Sequence, residues 1–574
     1  MKALQYQTQR LSMRFFMLML VLFIVQVALG LILALQENDP LFLQGVLNFN
    51  IVRADHLDLA IDWILCGFIG AIVFVAPLLS KRDFAHPWLI KFLFYALLVI
   101  VIANVCTQYL ARFGIAGWWL GQPWFQQGRE YLEEGRAVQV ALLIGFGILS
   151  YIVLRIFPPR REWNEIHWGL VLGVLGLTGV WVFAMFFVAR LDLSEYFRWY
   201  VVHYWVEGIW EIIHISLVGY LIVLMFHAKI KSVGYAVFWG VAMVWLSGMI
   251  GNAHHYFWIG TPAFWQFWGS LFSAFEPLPL VFCFWHIYLD AHQNRKPLEN
   301  TPAFYFLLGS VLLEQVGAGI LGFSMTFART NVWSHGTWIT AGHAHLALFG
   351  TFGLLGIAVA YYAVPLMRGI KGFDERLGQL AFWLVLVGVL GMAFAFDMGG
   401  TVEVFNYRTL GLDWFGGRID PAMGGYRVAL LVFGCVLLIG AGLTVYDLLT
   451  MGYRRPSAGL ARERPDGHAA AAIGARPAVG WGRYLSGFEV GLWLLVLWFF
   501  GGIITVSLLA FNLAIVRSGH PTLPYTLAAI GYAGLFVATL LFISRFLTSM
   551  QARKRAVAAD ESRDDMDLLG EPAA

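Results

Sequence analysis

The ionisable residues of this chain recur at spacings that let them act together. His203, Glu207, Glu211 and His214 follow one another at helical intervals, His254 and His255 are adjacent, and Glu276 follows. His343 and His345 are two residues apart, and His56 stands near the start with Asp58 and Asp62 close behind it. His203 and Glu207, at i and i+4, share one helix face, and His254 and His255 can close a shell of three imidazoles and one carboxylate around a single ion. Imidazole alone suits copper, zinc or iron; an added anionic oxygen shifts the preference toward a harder ion, and non-haem iron fits best. His343 and His345 stand about 200° apart around a helix, so they face nearly opposite directions. One helix can then serve two cofactors, such as two haems that each take an imidazole as axial ligand. Any one of these residues alone would read as a satisfied core histidine, but four that converge do not.

The elements that must carry them are set by composition. The chain has 574 residues, 59% of them hydrophobic and 16% aromatic, with a mean hydropathy of +0.70. Only 13% are charged, against roughly 25% in an average soluble domain. This excludes a water-soluble enzyme, a disordered chain and a simple coiled coil, and a net charge of +3 leaves no electrostatic footprint for nucleic acid. The protein reads as an all-α, polytopic transmembrane bundle. Apolar windows of about 20 residues, the length that crosses the hydrocarbon layer, fall near 13–35, 60–80, 89–111, 138–157, 168–189, 201–227, 234–257 and 264–290. Six more lie near 302–327, 337–365, 377–398, 427–450, 485–512 and 522–547, giving about fourteen helices. The expected division is a twelve-helix catalytic core over 1–452, a linker over 453–483, two further helices over 484–550 and a charged tail over 551–574.

Basic residues gather in alternate loops, among them Arg10, Lys81, Arg155, Lys229, Lys231, Arg368, Arg454 and Lys554. By the positive-inside rule both termini are expected to be cytoplasmic, in a bacterial or archaeal inner membrane. The second, sixth and tenth helices then enter from outside with their histidines near the start, and the seventh leaves with its pair near the end. Six histidines thus share one depth in the outer half of the bilayer. The first apolar run is too long for a signal-peptide core, so a retained helix is expected. Cys66, Cys106, Cys283 and Cys435 are scattered through apolar runs and no C-x-x-C-H occurs, so neither a disulfide framework nor a covalently attached haem is encoded. Any electrons that the chemistry needs are expected from an external donor.

At these residues the sequence resembles the large, catalytic subunit of respiratory nitric oxide reductases, a branch of the haem-copper oxidase superfamily. The resemblance rests on VVHYWVEGIWE at 201–211, GNAHHYFWIGTP at 251–262, FSAFEPLP at 272–279 and HGTWITAGHAH at 335–345, and more loosely on FNIVRADH at 49–56 and GREYLEE at 128–134. It implies that His56 and His345 are the axial ligands of a low-spin haem b and His343 the proximal ligand of a high-spin haem b. It further implies that His203, Glu207, His254 and His255 hold the non-haem iron, with Glu211 and Glu276 handing protons to the reacting oxygens. Glu130 would help bind calcium (Ca2+) beside the haem propionates, and Arg53 and Arg129 would lie close to those propionates. Oxygen reductases of the superfamily carry a tyrosine four residues after the first histidine or supply one from a neighbouring helix. Position 207 is glutamate here, which argues against copper.

The implied activity is the reduction of nitric oxide to nitrous oxide. An N-terminal fused electron-accepting domain is not expected, so the donor should be a second subunit carrying haem c or a dinuclear copper centre, or else a quinol. Three features depart from the family pattern: His214, the pair Asp58 and Asp62, and Glu314 and Asp397, in helices where the family is usually apolar. His214, Asp58 and Asp62 are therefore a candidate proton route, with His214 roughly 16 Å inward of His203 at 1.5 Å per residue. The competing readings are an oxygen reductase or nitric oxide dismutase on the same scaffold, a haem-free proton or cation transporter, and an electron-transfer cytochrome.

Overall fold

The computed structural model describes residues 4–112, 136–185, 190–277, 300–370, 373–408, 410–413 and 420–452, which form helices and connecting turns with no strand among them. Eleven helices among the described residues are long and apolar enough to cross a membrane. In lipid only a helix satisfies all its own backbone groups, and these helices match predicted spans one to seven and nine to twelve. They are α1 (Ser12–Asn38), α2 (Phe49–Ser80), α3 (Pro87–Arg112), α4 (Arg136–Ile156) and α5 (Glu165–Ala184), followed by α6 (Leu191–Phe226) and α7 (Ile230–Gly251). The eighth begins as α8 (Ala263–Phe275), and its second half is outside the described residues. The core continues with α9 (Thr301–Met325) and α10 (Trp338–Arg368), α11 (Arg376–Arg408) and α12 (Gly424–Thr450). The linker, the two further predicted helices and the tail all lie outside the described residues.

Two of these helices start well before their predicted windows. The window over 60–80 misses the first turns of α2, which carry Arg53, Asp55, His56 and Asp58, and the window at 201–227 misses the amphipathic start of α6. Hydropathy averaging discards polar turns even when they are helical, and in both helices those turns lead into the site.

Three helices are not uniform. Trp205–Trp210 in α6, Glu314–Leu321 in α9 and His345–Gly353 in α10 are π-helical. A π turn inserts one extra residue, widens the helix and leaves backbone groups for side chains to satisfy, and such turns concentrate at functional sites. All three segments carry or adjoin the residues singled out by sequence. The helices around them pack at close range through small residues, as membrane helices do when backbones touch. A Cβ on Gly67 of α2 would sit 3.2 Å from the Cα of Gly356 in α10. α10 starts under tight control: Thr337 caps it by accepting from the Ile339 N–H, and buried Glu403 of α11 accepts from the Trp338 N–H at 2.5 Å.

Candidate metal centre

His203 lies in the last turn of the α-helical first part of α6, which ends at Tyr204, and Glu207 lies in the π segment that follows. α7 ends at Gly251 and tightens into a 3-10 turn, Asn252–Tyr256, which presents His254 and His255. That turn is pinned where the Tyr256 hydroxyl donates to the Tyr196 carbonyl at 3.1 Å, with the two rings stacked at 4.6 Å. The four side chains offer one ligand atom each, all within 4.8 Å of one another. His203 Nδ1 is 3.2 Å from Glu207 Oε2 and 3.1 Å from His255 Nε2, and His255 Nε2 is 3.7 Å from Glu207 Oε1. Donors that each stand about 2 Å from one ion lie roughly 3–4 Å from each other, so the cluster has the dimensions of a coordination shell. Sequence reasoning brought these four residues together, and the structure does so too.

Close backbone contact makes the cluster possible. A Cβ on Gly248 of α7 would lie 3.0 Å from both the Glu207 carbonyl oxygen and the Gly208 Cα. Gly269 of α8 likewise lies against Ala253 and the His254 nitrogen. Gly248→Val should therefore push α7 off the π turn, separate the histidine pair from Glu207 and lower the metal content of the purified protein, which metal analysis measures directly. Trp199, one turn before His203, stacks on the His255 ring at 4.4 Å and 9° and fixes its plane. Its position four residues before His203 places it on the same helix face, the one sequence signal that marks it.

Two buried carboxylates adjoin the cluster. Glu211 follows the π segment, and its Oε2 has no hydrogen-bond partner among the described residues. Glu276, at the end of α8, accepts from the hydroxyls of Ser247 at 3.3 Å and Ser273 at 3.5 Å. These two serines also went unremarked in the sequence, where nothing separates them from other helical serines.

The histidines that the resemblance expects at haem share one feature. His343 Nδ1 lies 2.8 Å from the Gly317 carbonyl, in the π segment of α9, His345 Nδ1 lies 2.8 Å from the Ala341 carbonyl, and His56 Nδ1 lies 3.0 Å from the Gln26 carbonyl. A carbonyl can only accept, so each bond places the proton on Nδ1 and leaves Nε2 with its lone pair, the form in which a histidine binds a metal. The His56 and His345 rings have centroids 6.1 Å apart, tilted by 31°. An iron bound to one nitrogen of each ring at about 2 Å per bond needs close to that separation, so these side chains fit a haem between them. The Gln26 amide lies 3.2 Å from each nitrogen of the His56 ring. Gly30 leaves the ring its space, since a Cβ there would come within 2.7 Å of His56 Cε1. Gly30→Ala should accordingly displace the His56 ring and weaken the low-spin haem band in the optical spectrum, leaving the metal cluster intact.

Arg53 is exposed on the first turns of α2. Arg129 and Glu130, and with them the calcium expectation, lie outside the described residues. Asp58 Oδ2 accepts from Asn104 of α3 at 2.7 Å, and Asp62 is buried one turn further along. His214 meets Ser310 and Glu314 of α9 instead, so the two parts of the candidate proton route sit on different neighbours. The π segment also shifts His214 from the position that a uniform helix would give it. Asp397 of α11 is buried against Gly342, next to His343.

Residues 10–436 match the family model described as cytochrome c and quinol oxidase polypeptide I. The chain belongs to this family, and so to the haem-copper oxidase superfamily. It is 29% identical over 414 residues to a nitric oxide reductase subunit of Stutzerimonas stutzeri, covering 71% of this chain and 86% of that protein. It is 26% identical over 194 residues to a heme-copper oxidase subunit I+III of Aeropyrum pernix, covering 32% of this chain and 23% of that one. A heme-copper terminal oxidase solved as a dimer by cryo-EM superimposes with a TM-score of 0.63 at 14% identity, covering 78% of this chain and 84% of that one. The fold, multi-pass membrane location and oxidoreductase class follow from the family, which also implies haem and a second metal.

Proposed function

We propose that this protein reduces nitric oxide, 2 NO + 2 e− + 2 H+ → N2O + H2O, at a haem b facing a non-haem iron. The observation that carries the reading is Glu207 inside the donor cluster, within 3.2 Å of His203 and 3.7 Å of His255. A carboxylate oxygen among three imidazoles favours iron over copper, and the 29% identity to a nitric oxide reductase subunit supports the same substrate.

In this reading His203, Glu207, His254 and His255 hold the iron, His343 holds the high-spin haem, and His56 and His345 hold the low-spin haem. When bound, these groups supply the electrons and the Lewis acidity for joining two NO molecules. The chain does the rest. α10 fixes two haem ligands two residues apart on one rigid rod. α6 with its π turn and the 3-10 turn after α7 hold the four donors around one small volume, so that two dilute gas molecules would be brought together at one place. Glu211 and Glu276 hold protons beside that volume: Glu276 is oriented by Ser247 and Ser273, while Glu211 Oε2 is left unpaired and able to turn toward a proton acceptor. The centre is assigned to the outer half of a cytoplasmic membrane, with a partner subunit carrying haem c or a dinuclear copper centre, or a quinol, as electron source.

Mass-spectrometric detection of N2O from purified, reduced protein, together with iron and copper quantitation, tests the reading. N2O with non-haem iron and no copper is expected. Copper in the second site with O2 consumption and no N2O would replace it with oxygen reduction.

A further inference from the structure

The π segments of α9 and α10 meet α6 just beyond the centre, and there they enclose a buried polar group that the reaction above does not use. His214 and Glu314 are both fully buried. His214 Nε2 lies 2.8 Å from Ser310 Oγ, and Ser310 Oγ lies 2.6 Å from the carbonyl of Thr351, within the π segment of α10. A hydroxyl has one hydrogen and a carbonyl can only accept, so Ser310 gives its hydrogen to Thr351 and turns a lone pair toward His214. The Nε2 atom of His214 must therefore carry a hydrogen.

That fixes what the other side of the ring can do. His214 Nδ1 lies 3.3 Å from Glu314 Oε1. With no proton between them, a carboxylate would face an imidazole lone pair away from solvent; with a proton on each, two donors would collide. The two atoms are within ion-pair distance, and one proton between Nδ1 and Oε1 would suit both, whether it rested on the ring or on the acid, with the pair neutral overall either way. Glu211 precedes His214 by three residues on α6, the spacing that makes side chains neighbours on a helix face. Glu211 is buried, and its Oε2 has no hydrogen-bond partner among the described residues. Glu211 in turn lies one turn from Glu207.

We propose that His214 and Glu314 together store one proton and pass it to Glu211, so that protons consumed at the centre are drawn through this pair from the side of the membrane that carries Lys229 and Lys231. Glu314 is a positioning and storage residue and touches no substrate. The proposal rests on the reading above only in that the centre consumes protons. With O2 in place of NO as acceptor the same uptake would be measured, so failure to make N2O and failure of this route are separate results.

The test uses the full-length protein in liposomes of uniform orientation, with an artificial reductant and NO, and with a pH-sensitive dye on each side. The wild type is expected to take up protons from the side of Lys229 and Lys231. Glu314→Gln can still hydrogen-bond to Nδ1 but holds no transferable proton. It should keep its haem spectrum and metal content, lose about tenfold or more in turnover, lose that uptake, and lose a carboxylic-acid band from the reduced-minus-oxidised infrared spectrum. Glu314→Asp should restore part of the turnover. Ser310→Ala, which frees the Nε2 hydrogen, should slow turnover several-fold. Uptake from the opposite side, or full turnover and unchanged uptake in Glu314→Gln, overturns the proposal. If Glu314→Gln does not assemble its haems, Ser310→Ala decides: normal turnover and uptake there overturn it.

Discussion

Glu207→Gln is expected to abolish nitric oxide reduction while both haems remain bound. The amide keeps the size and shape of the carboxylate, so the π turn of α6 and the packing of Gly248 against it are undisturbed. What changes is the charge facing His203 and His255 at 3.2 and 3.7 Å. Three neutral imidazoles without an anion bind a hard ion weakly and tilt the site toward softer metals. Altering a partner that only orients a ligand typically costs 10–100-fold in affinity or activity, so loss of a ligand should cost more than about 100-fold. Iron content should fall from three atoms per protein to two, with the b-type optical bands retained. An unchanged iron content and rate would show that Glu207 is not a ligand.

The second large effect is expected at the two buried acids. Glu211→Gln and Glu276→Gln should each retain iron and haem but lose about 10²–10⁴-fold in turnover, the usual range when a positioned proton donor is removed. The two should differ in how they respond to their surroundings. Glu276 is held by two hydroxyls, so Ser247→Ala should lower the rate several-fold by loosening its orientation. Glu211 has no such anchor at Oε2, and its supply is expected to depend on Glu314. Stopped-flow mixing of reduced protein with NO separates these cases: binding should stay fast in both variants, with only the later, proton-consuming phase slowed. A slowed binding phase would contradict the assignment.

Much of this arrangement is legible in the chain because a membrane penalises charge. An ionisable residue inside an apolar run stands out, and its i, i+4 or adjacent partner follows from helix geometry. That is why His203, Glu207, His254 and His255 could be grouped from spacing, and why His343 and His345 could be placed on opposite faces of one helix. The features that escaped are those that helix periodicity does not encode. A π turn inserts a single residue without changing hydropathy, so the three π segments left no trace, although they set where Glu207, His343 and His214 lie. The pairing of His214 with Glu314 and Ser310 crosses from α6 to α9, and no local pattern links them. A uniform helix predicts a polar stripe running along α6 alone. Glu403, which holds the start of α10, lies beyond the apolar window at 377–398, where an acid does not stand out, and Trp199, stacked on His255, is of a residue type that serves equally well as packing.

X-ray absorption at the iron and copper edges of the purified protein tests the central claim most directly. The account predicts one iron outside the haems, bound by three histidine nitrogens and a carboxylate oxygen, with the signal of that iron lost in Glu207→Gln and no copper above background. Copper at this centre, or an iron whose shell is the same with and without the Glu207 carboxylate, would contradict it.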